Sequence, residues 1–259
     1  MSIRFRGFRV MEGRVERVAL AHTACVAPDA GDVVRPGDGL FASRAAGARS
    51  AAMLVAAAVL ALTVTATAAR ASGNHSRGRA LFDLCAQCHG AGGGGNREFL
   101  APAIAGLSQV YLEEQLRKFR NGMRGTHPED IEGMRMRPMS LTLATEEDVR
   151  AVVAYLVSLP PARPAPLLSG GDAEKGKLVF SPCTACHGLD GSGNEQLKAP
   201  PLRYASDWYL LSQLKKLKAG IRGFDPADQP AALMRPMTAL LPDEQAMRDV
   251  IAYIATLAD

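Results

Sequence analysis

The chain has 259 residues, 47% of them apolar and 22% charged, which is material for a packed core and excludes disordered and fibrous classes. Five cysteines are too few for a disulfide-stapled scaffold. The formal net charge of +4 resides in residues 1–71, where nine arginines face five acidic residues. The rest is neutral, so nucleic acid loses its electrostatic case as a partner.

The first predicted element is an export signal. Ala51 to Ala69 carries no charge, Arg44 and Arg49 precede it, and Ala69-Arg70-Ala71 follows it as a small-x-small cleavage pattern. Cleavage there would start the mature chain at Ser72, in the periplasm. The competing reading keeps the segment as an inner-membrane anchor, because 19 uncharged residues just span a bilayer. Residues 1–43 are a polar preface that a signal peptide does not need, consistent with a start codon placed too early, and Cys25 within them receives no role. Residues 1–71 are thus an N-terminal extension with a signal peptide or anchor.

Beyond it the chain repeats itself at an offset of 98. Cys85-Ala-Gln-Cys88-His89 returns as Cys183-Thr-Ala-Cys186-His187, and without a gap Gly78 maps onto Gly176, Ala101-Pro102 onto Ala199-Pro200, and Tyr111-Leu112 onto Tyr209-Leu210. Gln115-Leu116, Arg124-Gly125, Met136-Arg-Pro-Met139 and Ala154-Tyr155 find the same counterparts. Two copies of one small domain are expected, at 75–160 and 171–258, each marginal without a cofactor in its core. Pro160-Pro161-Ala-Arg-Pro164-Ala-Pro166 and Ser169-Gly170-Gly171 mark the linker, over 161–170.

Within each copy the periodicity is helical. Val149, Val152, Val153 and Leu156 are spaced i, i+3, i+4, i+7, and Met247, Val250, Ile251 and Ile254 repeat that spacing. A middle helix carries Leu112, Leu116 and Phe119, matched by Leu210, Leu214 and Leu217, and a shorter one leads into each cysteine cluster. Gly- and Pro-rich loops join them, so the fold class is all-α.

Two thiols three residues apart suit thioether bonds to the two vinyl groups of one haem, with the following histidine held beneath the iron; Cys85, Cys88, Cys183 and Cys186 with His89 and His187 fit that chemistry twice. Zinc would leave a histidine idle in each cluster, and a redox dithiol would need a βαβ context that is missing. The expected cofactors are two covalently bound haem c groups. A methionine thioether is the expected sixth ligand, and only Met136/Met234 and Met139/Met237 occur in both copies, each pair in an expected Pro-containing loop before the last helix. Met247 lies on an apolar stripe and reads as packing. His127, replaced by Asp225 in the second copy, reads as a surface loop residue, and Lys215, Lys216 and Lys218 read as a solvated helix face.

On these motifs residues 75–258 resemble the dihaem cytochrome c4 family, two class I cytochrome c domains in tandem. The resemblance implies that the ligand methionine stands seven residues before a leucine leading into the final helix. Met136 with Leu143 and Met234 with Leu241 satisfy this, whereas Met139 and Met237 do not. It also implies that Pro102 and Pro200 accept a hydrogen bond from the ligand histidine, and that Gly78 with Tyr155, and Gly176 with Tyr253, mark close helix crossings. The expected function is periplasmic electron transfer between a respiratory donor and a terminal oxidase or other acceptor. The alternative is the electron-accepting subunit of a periplasmic dehydrogenase oxidising a sulfur compound or an alcohol. Either way the partners are redox proteins and the chain itself is a carrier, not an enzyme. A dihaem peroxidase would need an open sixth position, and both copies keep Met-Arg-Pro-Met.

Overall fold

The computed structural model describes residues 73–257. The expected signal segment, the cleavage site before Ser72 and Cys25 lie outside the described residues. Among the described residues there is no strand, only two isolated bridges, Asn96 with Ala101 and Asn194 with Ala199.

The first half is helical over 73–89 (α1), then α2 (Gln109–Arg120), α3 (Ile131–Leu141) and α4 (Glu146–Ser158). The second half has α5 (Ala173–Phe180), α6 (Thr184–His187), α7 (Asp207–Lys218), α8 (Gln229–Met237) and α9 (Glu244–Thr256). α1 runs unbroken through the cysteine cluster. Its counterpart is broken by Pro182, which stands where the first copy has Leu84 and turns Ser181–Cys183 into a 3-10 segment between α5 and α6.

The Met-Arg-Pro-Met segments, expected as loops, are helical, Pro138 lying inside α3 and Pro236 inside α8. Asp130 and Asp228 cap these helices, accepting from the Gly133 and Ala231 amides. Capping overrides the proline, which falls late enough in each helix for the first turn to form without interruption.

Each half has its own core. Phe82, Leu112, Leu143, Val149, Val152, Val153 and Leu156 form the first, and Phe180, Leu211, Leu241, Met247, Val250, Ile251 and Ile254 the second. Met247 is therefore packing, as expected. On α7 the stripe is shifted: Leu211 and Leu217 are buried while Leu210 and Leu214 are half-buried. The first and last helices of each half cross where a glycine admits no side chain. A Cβ at Gly78 would sit 2.0 Å from the Ala151 carbonyl oxygen, and one at Gly176 would sit 1.9 Å from that of Asp249, with Tyr155 and Tyr253 beside them.

The halves meet through reciprocal contacts of α2 and α7. Lys118 pairs with Asp228 at 2.7 Å, and its repeat counterpart Lys216 pairs with Asp130 at 2.6 Å. Lys118 also holds Glu114, and Lys216 also holds Glu132. Ser108 caps α2 by accepting from the Tyr111 amide, but its counterpart Ser206 turns its hydroxyl to the Ala103 amide of the other half. The connecting residues are fixed as well: Ala162 donates to the Ala105 carbonyl, and the Leu167 and Leu168 amides donate to Asp207.

Candidate functional site

α1 carries Cys85, Cys88 and His89 at i, i+3 and i+4, one face of the helix, and all three line a cavity of about 350 Å³. The remaining wall is largely apolar, with Leu112 and Phe119 from α2 and Val152 and Leu156 from α4. His89 is buried, and its Nδ1 lies 2.8 Å from the Pro102 carbonyl oxygen. A ring nitrogen facing a carbonyl must donate, which leaves Nε2 with its lone pair free. Burial pulls the imidazole pKa down against the opposing pull of the Pro102 carbonyl, so the ring is neutral, as a metal ligand must be.

The loop that presents Pro102 is set by backbone geometry. Gly95 has φ +85°, and a Cβ there would fall 2.5 Å from the Ala103 amide nitrogen. Its amide donates to the His89 carbonyl, and the Asn96–Ala101 bridge closes the turn. The second half repeats this arrangement: His187 is buried with Nδ1 3.0 Å from the Pro200 carbonyl, and burial lowers its pKa too. The left-handed non-glycine residues recur also, Leu100 at φ 56° and Lys198 at φ 55°.

Burial pushes the Cys85 and Cys183 thiols up, opposite to the depressed pKa of a reactive dithiol. Among the described residues no three His, Cys, Asp or Glu side chains gather into a metal site, so the two clusters do not pool their thiolates as zinc would require. Free thiols and a neutral imidazole on one wall of an apolar cavity do fit a covalently attached haem.

Met136 and Met139 both line the cavity, because three residues along a helix return to nearly the same face. Met234 and Met237 are half-buried at the matching positions of α8. Six polar residues to which the sequence analysis gave no role also line the cavity: Tyr111, Gln115, Arg124, Glu132, Arg135 and, from the other half, Tyr209. Part of the signal was present, since Tyr, Gln and Lys stand at i, i+4, i+7 on both middle helices, a second stripe about 100° round the helix from the leucines. For the same reason Lys216 does not belong to a solvated face. It is buried against Asp130 and Glu132, while Lys215 pairs with Glu244 and Lys218 donates to the Leu241 and Pro242 carbonyls. His127 is half-buried, its ring 5.7 Å from that of Phe224.

A small helical domain with CxxCH at the end of its first helix, a carbonyl-oriented histidine and a methionine-bearing helix across the cavity defines a c-type haem protein, here in duplicate. The Cytochrome c family model matches residues 75–160 and 173–258, and the chain belongs to that family. It is a dihaem protein of the cytochrome c4 kind, its two domains implying two covalently bound haem c groups. It is 34% identical to the thiosulfate dehydrogenase electron acceptor of Thiomonas intermedia over 55% of this chain and 66% of that protein. Cytochrome c4 of Azotobacter vinelandii is 28% identical over 73% of this chain and 91% of its own. The crystal structure of reduced cytochrome c4 from Pseudomonas stutzeri superposes with a TM-score of 0.54 at 25% identity, over 70% of this chain and 96% of that one. The chain spans only about half to two thirds of the length of the first curated relatives it matches.

Proposed function

We propose that the protein is an exported dihaem electron carrier that takes electrons from one redox protein and delivers them to another without transforming a substrate. The observation that carries this reading is the duplication of the whole site: each half has the same CxxCH, the same histidine-to-proline hydrogen bond and the same methionine pair. The bound groups supply one-electron chemistry at iron. Cys85 and Cys88, and Cys183 and Cys186, would tether them, while His89 and His187 would ligate through Nε2. The Pro102 and Pro200 carbonyls hold each imidazole in one tautomer and orientation. Met136 and Met234 are the proposed sixth ligands; buried Leu143 and Leu241, seven residues on, support that register by anchoring the end of each methionine segment. A histidine and a methionine together would leave no position for a substrate at the iron and little to rearrange on electron transfer.

Likeness to a thiosulfate dehydrogenase electron acceptor supports service to a sulfur-oxidising dehydrogenase, and likeness to FixP oxidase subunits supports a route to a terminal oxidase. Among the described residues no helix is long and apolar enough to cross a membrane. Membrane attachment therefore turns on residues 51–69, and on this reading export leaves Ser72 at the N-terminus.

Purified native protein tests the reading. Its mass should exceed that of residues 72–259 by two haem groups, with colour that resists acid-acetone extraction. Rapid mixing with a thiosulfate dehydrogenase and with a terminal oxidase should give fast reduction and fast oxidation, respectively. Loss of haem on extraction, or turnover of a small substrate by the protein alone, would overturn it.

A further inference from the structure

Ser206 stands at the N-cap of α7, where a serine ordinarily accepts a hydrogen bond from an amide of its own helix. Its repeat counterpart Ser108 does so, taking the Tyr111 amide, whereas the Ser206 side chain makes no capping bond. It is 3% exposed, and its hydroxyl oxygen accepts instead from the Ala103 amide of the first domain at 3.0 Å. A bond within the helix is given up for one across the domain boundary.

The amide reached in this way is part of the first haem site. The Ala103 N–H and the Pro102 carbonyl belong to one peptide group, and that carbonyl accepts from His89 Nδ1 at 2.8 Å. A single chain of hydrogen bonds therefore runs from the His89 ring through the Pro102–Ala103 peptide to Ser206 Oγ. An amide whose N–H is engaged carries more negative charge on its oxygen, so each bond strengthens the other. Tyr204 bears on the same loop, its ring 2.9 Å from where a Cβ on Gly106 would stand.

The second domain cannot repeat the arrangement. Ala103 maps onto Pro201, which has no N–H, so the Pro200 carbonyl that faces His187 belongs to a peptide with nothing to donate. The bond to His187 is also the longer of the two, 3.0 Å against 2.8 Å.

We infer that Ser206 is a positioning residue for the haem of the other domain: through the Pro102–Ala103 peptide it strengthens the bond that orients His89 and makes Nε2 a better donor to iron, an effect confined to the first site. This inference rests on the dihaem reading. A more basic imidazole favours ferric iron, which carries one positive charge more than ferrous, so the bond to Ser206 lowers the potential of the first haem.

The test combines a redox titration of the full-length holoprotein, with the two haems told apart by their ferric proton NMR signals, and NMR of the reduced protein, which reads the Nδ1 protons of His89 and His187. In the wild type the His89 proton should resonate downfield of the His187 proton. Ser206→Ala should move the His89 proton upfield, raise the first midpoint potential and leave the second in place; Ser206→Thr, which keeps the hydroxyl, should restore both. Tyr204→Ala loosens the same loop contact without touching the bonded chain and should shift the first potential less than Ser206→Ala does. A first potential that stays or falls in Ser206→Ala, equal shifts at both haems, or an equal effect of Tyr204→Ala would overturn the inference and leave the carrier reading standing. Should Ser206→Ala not fold, the wild-type comparison still decides, since a His89 proton upfield of the His187 proton would overturn the inference. A wild-type protein without two haems would instead overturn the carrier reading.

Discussion

At the scale of single residues, His89 and His187 are placed by their own neighbours, but the methionines are not. Met136 and Met139 point from one helical face into one cavity, so neither burial nor direction separates them. The proposed separation rests on the spacing that the family resemblance implies, seven residues from Met136 to Leu143 and from Met234 to Leu241. Met136→Ala or Met234→Ala should each remove half of the thioether-to-ferric-iron absorption at the red end of the spectrum and lower one midpoint potential. Met139→Ala and Met237→Ala should retain the band. The reverse pattern would move the ligand by one helical turn and leave the rest of the site intact.

At the scale of elements, what matters is how closely helices approach and how they begin. The crossings at Gly78 and Gly176 leave no room for a Cβ. Gly78→Ala should cost about 3 kcal/mol or force the helices apart, whereas Gly92→Ala, with open space around it, should change stability by less than about 0.5 kcal/mol; denaturant titration of the holoprotein compares them. α4 starts with a capping box in which Thr145 and Asp148 satisfy each other, and Arg77 of α1 pairs with the same Asp148 at 2.6 Å. Thr145→Ala should cost about 1 kcal/mol in the same titration. Pro182 was legible as a helix breaker. The helicity of Met-Arg-Pro-Met was not, because an interior proline argues against a helix that here is started by an aspartate cap six residues before the first methionine.

At the scale of the whole molecule, the boundary between the domains is held by buried charge. Burial alone would raise Asp130 and Glu132, but hydrogen bonds from Lys216, together with its charge, that of Arg124 beside Asp130 and further hydrogen bonds from Gly133 and Ser212, hold both below the usual carboxylate range. Since both titrate lower when folded than when unfolded, their contribution is complete above the ordinary carboxylate values. It is lost as pH falls through the lowered ones, so stability should decline below about pH 4. The thermal midpoint of the holoprotein followed against pH measures this. Lys216→Gln should lower that midpoint at neutral pH and flatten its acid slope, because the pairing that lowers the two pKa values has gone.

Sequence alone determined the repeat, the all-α class and the CxxCH chemistry, because each is local or recurs at a fixed offset of 98; the glycine crossings came from the family resemblance. The proline carbonyls were reachable by family resemblance, and the structure placed them 2.8 and 3.0 Å from their histidines. The use of the second face of α2 and α7 was decided by tertiary structure alone. Tyr111, Gln115 and Lys118 are ordinary residues for a solvated helix, and nothing local distinguishes a lysine facing water from one facing Asp228 of the other domain. Period and spacing report which residues share a face; what that face meets is a long-range matter, settled only when two copies of the same domain pack together.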